Sequence, residues 1–594
     1  MYSEGQSGRN SRKKGWFVPA VAALLLIMMM VGLRCVALDS DAYPRLSWSS
    51  ALLTDEGFYL HNARNRILFG HAQTDQFNNA LIMPVLDAVQ TGVFHLFGVG
   101  AVSARAISVV LGLLTLPVFC DALRRAFGLR TAGFGLLLLG LDHVSLLYSR
   151  LALMDTPAAF VLVCAFWLWV RSGEGQEAGS GRKRIWLALC GLVLGVCYSV
   201  RGLGALVYPV PILLLGGDLW RAWRGRERGE NSAGAGEGRA ALLGLLSLVG
   251  GLIVALGVYG AVWYLPHRAE LTRVNHYYLF DQLMPHSLLF FLRNWLNGLF
   301  GDQRGLMPYL FRHQPVQTCL VLVWLLRRYG APATDRERLS RSAVNADFLM
   351  LWLLVFWGLL CSIDYAPSRY YVLFMPAFAG LAGLTLSDVS IFTHTVQNRA
   401  AAVIVGLFAF HAAQSALHHL EIRGVALPGL FGLVCLALAW FLLPWKGGLR
   451  YRTALRAVPM AALLIWGSVN TYWTGDWLLH LTYRQRDADR WLTENLPANS
   501  ILIGAVTPGL SLNSRFVCVS VIEKLCNDDA PLEKYAPAPR YVLILDDRWR
   551  EGWWPRHYPQ VIVPERRIHA FRGILRPFFT IGVYKVPDNV VMKP

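Results

Sequence analysis

Four short stretches of this 594-residue chain carry the charged groups from which a reaction could be built. "LLTDEGFYL" sets two adjacent carboxylates, Asp55 and Glu56, just ahead of Phe58 and Tyr59. "SRLALMDTPAAF" holds Arg150 and Asp155, "YSVRGLGALVYP" holds Arg201, and "YAPSRYY" holds Arg369 and Tyr370. A carboxylate within reach of a hydroxyl or phosphate oxygen can serve as a general base. Guanidinium groups grip phosphate bidentately. Phe58, Tyr59 and Tyr370 can stack on a sugar or flank a lipid tail. The combination suits a phosphate-bearing substrate and an acceptor that must lose a proton. Each piece alone has a plainer reading. An acidic pair in a loop is commonly a solvated pair, and an arginine beside an apolar run commonly snorkels to an interface. "DTP" is good helix-start chemistry, so Asp155 also reads as an N-cap.

The elements that must position these groups are membrane helices. The mean hydropathy is +0.40, 55% of residues are hydrophobic and only 16% are charged, whereas a soluble domain carries roughly a quarter. Apolar runs of about 18 residues or more recur along the chain. The 21 Trp, 22 Tyr and 29 Phe suit interfacial belts. A formal net charge of +18 is not read as a nucleic-acid signal, because the excess Lys and Arg lie in short loops between spans, the positive-inside pattern. The N-terminal "RNSRKKGWFVPAVAALLLIMMMVGL" reads as an uncleaved first helix with its N-terminus in the cytoplasm.

Charge orients the rest. The first span, about 16–38, exits, so the acids at 55 and 56 lie outside. The segment 79–98 is apolar but short, and carries Asp87, Gln90 and His95. The next span, 102–123, ends in "RRAFGLR", which belongs inside, so 79–98 is expected to be interfacial or re-entrant. Further spans are expected near 131–149, 157–171, 185–200, 203–221, 241–265, 314–327, 347–363, 371–387, 400–418, 425–443 and 457–474, about 13 in all. Outer-face loops fall at 39–99 and 266–312, the latter reading as amphipathic surface helices. Arg150, Asp155, Arg201 and Arg369 then share the outer face with Asp55 and Glu56. Asp142 and His143 lie within the 131–149 segment and receive no role; His418 and His419 read as interface residues.

From about 480 the pattern changes. "RDADRWLTENLPANSILIGAV" reads as a helix and then a strand, and "RYVLILDD" and "FFTIGVYKV" as further strands. The expected fold class is therefore an all-α polytopic membrane domain, 1–479, with a small α/β extracytoplasmic domain, 480–594. Eight of the ten cysteines lie in or beside apolar segments. Cys518 and Cys526 lie in the polar tail, where a disulfide is open to them. No Cys/His spacing suggests a metal site. No internal repeat of the transporter kind is visible.

The acidic pair after the first span, "SRLALMDTPAAF", the Arg-Gly turn and the later "RYY" together resemble the polytopic C-type glycosyltransferases. The similarity is to the branch of protein O-mannosyltransferases and lipid A aminoarabinose transferases, over about 1–390. The resemblance implies a catalytic Asp in the first outer loop, matched by Asp55, with Glu56 following it. It places an R-L-x-x-x-D motif on Arg150, Leu151 and Asp155, a Lys-Gly turn on Arg201 and Gly202 with Arg for Lys, and an RY pair on Arg369 and Tyr370. It implies a polyprenyl-phosphate-linked sugar as donor, used on the outer or lumenal face. In the family the jaw helix often begins "KPP"; here "NALIMPVL" keeps only Pro84 and no Lys, so a donor-phosphate or acceptor contact is either missing or supplied by Arg64, Arg66 or Arg201.

The expectation is therefore an integral membrane glycosyltransferase. Asp55, Glu56 and Asp155 are its catalytic candidates, and Arg150, Arg201, Arg369 and Tyr370 its substrate-binding candidates. Membrane lipid, the donor lipid and a glycan, lipid or protein acceptor are its partners. Lipid phosphate is a good leaving group, so a divalent metal is compatible with the reaction but not required. A bacterial inner membrane, with the C-terminal domain in the periplasm, is the expected location. A transporter or flippase of lipid-linked saccharides is the competing reading, and a glycolipid-binding scaffold the third.

Overall fold

The computed structural model describes residues 7–47, 49, 51–174, 181–227, 233–279, 287–301, 305–330, 342–363, 365–388, 449–545, 552–576 and 579–592, with positions 403, 406–407, 409–411, 413–414, 430–435 and 437. The spans expected near 400–418 and 425–443, with His418 and His419, lie wholly or largely outside the described residues.

The helical part runs as α1 (Ser7–Cys35), α2 (Ala51–Phe69), α3 (Pro84–Phe97), α4 (Ala101–Phe127), α5 (Leu129–Gly140), α6 (His143–Tyr148), α7 (Asp155–Ser172), α8 (Gly181–Val200), α9 (Pro209–Glu227) and α10 (Ala233–Tyr259). It continues as α11 (Arg268–His276), α12 (Leu288–Phe300), α13 (Leu306–His313), α14 (Pro315–Gly330), α15 (Ser342–Ser362), α16 (Met375–Ser387) and α17 (Leu449–Leu479). Five described stretches are long and apolar enough to cross a bilayer: Ala101–Phe127, Gly181–Val200, Gly202–Arg224, Gly236–Tyr264 and Ser342–Ser362. Shorter apolar helices join them at Val21–Cys35, Leu129–Gly140, Pro315–Leu326 and Met375–Ser387. Apolar side chains such as Ile253, Val254 and Val258 stay exposed on α10, the surface a lipid-facing helix presents. On its other side α10 packs backbone to backbone on α8: a Cβ on Gly191 would sit 1.9 Å from the Leu248 carbonyl oxygen.

Two elements follow directly from sequence chemistry. Helix α3 opens with Pro84 at its first position and stops at Gly98, whose φ of +78° suits glycine. At 14 residues it is too short to cross. It lies against α2 with Asp87, Gln90 and Phe94 inward. The single span expected at 131–149 is instead divided. The Asp142 carboxylate accepts the Ser145 N–H (2.8 Å) and the Gln314 amide (2.7 Å), so a new short helix, α6, begins where α5 has just ended. His143 does not pair with Asp142; it bonds Asn470 and His313.

Beyond α17 the chain forms α18 (Arg484–Asn495), β1 (Ile501–Ile503), α19 (Thr507–Leu510), β2 (Val517–Val519), β3 (Arg540–Leu545), β4 (Arg567–Arg572) and β5 (Thr580–Lys585). The sheet order is β2-β1-β3-β5-β4, parallel among β1, β2 and β3 and antiparallel from β3 outward. Cys518 and Cys526 are separate buried thiols. The first lies by Ser511 Oγ, and the second donates to the Ser520 carbonyl.

This C-terminal α/β part is fastened to α2 and to the loop before it. The Asp41 carboxylate caps α18, accepting the Arg484 and Gln485 N–H groups (2.9 Å each). Arg64 of α2 is fully buried and donates to the carbonyls of Ser511, Leu512, Ser514 and Phe516. Gly57 of α2 meets Gly509 of α19 so closely that a Cβ on Gly57 would lie 2.4 Å from the Gly509 nitrogen.

Candidate active site

Helix α2 carries Asp55 and Glu56, and because adjacent helical residues point about 100° apart the two acids face different partners. Asp55 Oδ2 forms an ion pair with Arg369 Nη1. Glu56 turns the other way and is held by Arg105 of α4, which donates from Nε (2.8 Å) and Nη2 (2.7 Å). Glu56 Oε1 also accepts the Ala152 N–H at 2.8 Å, and Arg105 Nη1 reaches the Leu38 and Ser40 carbonyls. Glu56 is thus a buried clamp tying α2 to α4 and to the turn before α7.

Asp155 begins α7 and is fully buried. Its Oδ2 accepts Arg201 Nη1 at 3.0 Å and lies 4.0 Å from Arg369 Nε. Charges therefore alternate along one buried row: Asp55, Arg369, Asp155, Arg201. Both cations lie by the Tyr370 ring, the Arg201 guanidinium 4.7 Å and the Arg369 guanidinium 5.0 Å from its centroid. Arg201 and the 368–373 turn sit at the ends of α8 and α15, where the chain reverses before α9 and α16. Behind Arg369, Ser368 Oγ donates to the Leu46 carbonyl (2.9 Å), which also accepts Tyr309 Oη (3.1 Å). Tyr148 Oη bonds Ser368 Oγ at 2.7 Å.

Sequence reasoning selected seven residues, and the structure brings five of them together: Asp55, Asp155, Arg201, Arg369 and Tyr370. Glu56 adjoins them through the backbone, but its carboxylate is spent on Arg105. Arg150 stands apart. It donates to the Leu33 and Arg34 carbonyls (2.9 and 3.1 Å) and to the Ala37 carbonyl (2.9 Å), and its guanidinium lies 4.3 Å from the Trp477 ring centroid. It closes the C-terminal end of α1, whose last carbonyls lack helical partners. Of the arginines named beside the missing jaw-helix lysine, Arg64 is engaged by the α/β part, Arg66 bonds Asp87 (3.2 Å) and Thr91 (2.9 Å), and Arg201 pairs with Asp155. Arg105 and Ser368 escaped notice because each lies in an ordinary helical or turn context. Among the described residues, no three His, Cys, Asp or Glu side chains gather as a metal site would require.

The sequence profile of the dolichyl-phosphate-mannose-protein mannosyltransferase family matches residues 83–259, a segment that contains Arg150, Asp155 and Arg201. Comparison with the sequences of curated proteins gives no match. Among solved structures the chain is similar to ArnT from Cupriavidus metallidurans bound to undecaprenyl phosphate. The TM-score is 0.52 at 17% identity, over 96% of this chain and 98% of that one. The apo state of the same protein gives 0.50 at 17% identity and the same coverage. At such identity the likeness is one of fold, and it extends over the C-terminal α/β part as well as the helices. The chain thus holds a segment similar to the dolichyl-phosphate-mannose-protein mannosyltransferase family and, over nearly its whole length, a fold similar to that of ArnT.

Proposed function

We propose that the chain transfers a sugar from a polyprenyl-phosphate donor to an acceptor hydroxyl or phosphate on the outer face of the membrane, with Asp55 as general base. The observation that carries this reading is the buried row Asp55–Arg369–Asp155–Arg201. Both arginines are already matched by carboxylates, so a donor phosphate that takes Arg369 displaces Asp55 from it. The released carboxylate is then a free base beside the sugar. The acceptor's proton passes to Asp55 and its oxygen attacks the anomeric carbon from the face opposite the phosphate. The bond from that carbon to the phosphate oxygen breaks, the lipid phosphate leaves with the electron pair, and the configuration inverts. Asp155 keeps Arg201 and Arg369 at the spacing of one phosphate, and both guanidinium groups lie by the Tyr370 ring. Glu56 fixes the rotation of α2 through Arg105.

The undecaprenyl phosphate bound to ArnT supports a lipid phosphate as the group addressed. We place residues 1–479 in a bacterial inner membrane with about 13 crossings and a cytoplasmic N-terminus, and 480–594 in the periplasm. The test is turnover of a polyprenyl-phosphate sugar by Asp55→Asn protein in nanodiscs. The expected loss is at least about a hundredfold, the usual worth of a positioned base; near-normal turnover by folded mutant protein refutes the assignment.

A further inference from the structure

A second group of charged side chains lies on the outer face, beside the row just described but outside it. Arg312 sits near the end of α13, one turn after Tyr309, and His313 follows it. Its guanidinium lies 5.8 Å from the centroid of the Trp473 ring. Arg312 is half-buried, and among the described residues it has neither an ion pair nor a hydrogen bond. That is unusual, because a cation withdrawn from water without an anion is costly. Trp473 is the hub of the group: Tyr43 packs on it edge-on at 6.4 Å, and Tyr472 and His313 lie 5.3 and 4.7 Å away. One turn further along α17, Asp476 accepts Tyr43 Oη (2.5 Å) and pairs with Arg45 Nη1 (3.4 Å) and His480 Nδ1 (3.2 Å). Arg45 thus shares this carboxylate with Tyr43 and His480, and Arg312 has no claim on it. Burial depresses the Arg312 pKa, and the like charge of Arg45 adds to the depression. Tyr472 and Leu479 on the same helix are exposed.

We propose that Arg312, with Trp473 beneath it, and Arg45 nearby form an anion subsite for the phosphate of a lipid headgroup. A guanidinium fork over an indole matches an oxyanion whose carrier is partly apolar. The subsite is coupled to the catalytic row through the main chain: Leu46, next to Arg45, accepts Ser368 Oγ beside Arg369, and the same carbonyl accepts Tyr309 one turn before Arg312. A lipid held there lies alongside the Asp55–Arg369 pair rather than upon it. The inference does not rest on the proposed transfer reaction.

The test uses the full chain in nanodiscs of phosphatidylcholine with and without phosphatidic acid. Phosphatidic acid retained on the released protein is counted by native mass spectrometry. Wild type is expected to retain it, Arg312→Gln and Arg45→Gln to lose about tenfold or more, and Arg312→Lys to fall between. Arg515→Gln, which removes an exposed outer-face charge elsewhere, is the control. Equal retention by wild type and by folded Arg312→Gln and Arg45→Gln proteins overturns the proposal. Excess inorganic phosphate supplies the second arm. If it strips the lipid, the subsite reads the phosphate group whatever carries it; if the lipid stays, the site is specific to the headgroup on its lipid. No sugar is transferred in this experiment, so its failure leaves the Asp55 reading standing, and inactivity of Asp55→Asn leaves the subsite standing.

Discussion

Substituting Gly57 with alanine tests whether the α/β part sets the position of α2 and of the proposed base Asp55 on it. The added Cβ would lie 2.4 Å from the Gly509 nitrogen, 2.7 Å from its Cα and 2.9 Å from the Pro508 carbonyl carbon. All three are backbone atoms, so no side chain can swing aside. An ordinary contact begins near 3.4 Å, so α2 and α19 must separate by about 1 Å. Overpacking of this kind costs about 1–3 kcal/mol, which a folded membrane protein can survive. Asp55 lies two residues from Gly57 on the same helix, and a 1 Å misplacement of a reacting group costs on the order of a hundredfold in rate, or about 2.7 kcal/mol in barrier. The assay is release of polyprenyl phosphate from a sugar-loaded donor, normalised to folded protein by gel filtration. Hydrogen exchange over 507–516 reports the separation independently. Gly92→Ala in α3 is the matched control, since nothing lies within 4 Å of its new Cβ, and its rate should stay within about twofold of wild type. Full activity in well-folded Gly57→Ala protein would refute the idea that this contact fixes Asp55.

Three further outcomes follow from the contacts described. Glu56→Gln strips the charge from a pair whose side chains are only 6–7% exposed, so thermal stability should fall by about 3–5 kcal/mol while turnover per folded molecule persists. A loss of turnover beyond the unfolded fraction would put Glu56 in the chemistry instead. Arg64→Met leaves four carbonyls of the α/β part without their donor, at about 1–3 kcal/mol for each group that water cannot reach; limited proteolysis should then cut first near 511–516, and unchanged protection would count against the clamp. His569 stacks on Trp491 at 4.0 Å, and burial lowers its pKa. A depressed histidine stabilises the fold above its unfolded pKa, and that contribution is lost as pH falls through the folded value. Amide exchange in β4 should therefore quicken on acidification below the ordinary histidine range, and His569→Asn should flatten that dependence.

Membrane helices such as α4, α8 and α15 were legible because their apolar runs are long and their flanks are basic or turn-forming. The short helix α3 falls within the segment 79–98, which its polar residues and the charge of the loop after α4 set apart from the expected spans. The break between α5 and α6 was not legible, because it depends on Gln314 reaching Asp142 across 172 positions. In the α/β part, β1, β3 and β5 show as apolar runs, whereas β2 has three residues and β4 is an edge strand with mostly exposed side chains. For the site, the sequence brought forward the acids and arginines but not who pairs with whom. Arg150 illustrates why: its partners are backbone carbonyls of α1, and a carbonyl leaves no trace in residue identity. The same holds for the grip of Arg64.

The Leu46 carbonyl, which receives Ser368 beside Arg369 and Tyr309 before Arg312, has a consequence for how this chain can be dissected. Its acceptor belongs to every amino acid alike, so an alanine scan passes over position 46 and registers only a lost leucine side chain. Replacing the amide between residues 46 and 47 with an ester weakens that one oxygen as an acceptor and leaves every side chain in place. Such a backbone edit would loosen Ser368 and Tyr309 together, and is the means of asking whether the outer loop sets the tension on both arginines at once.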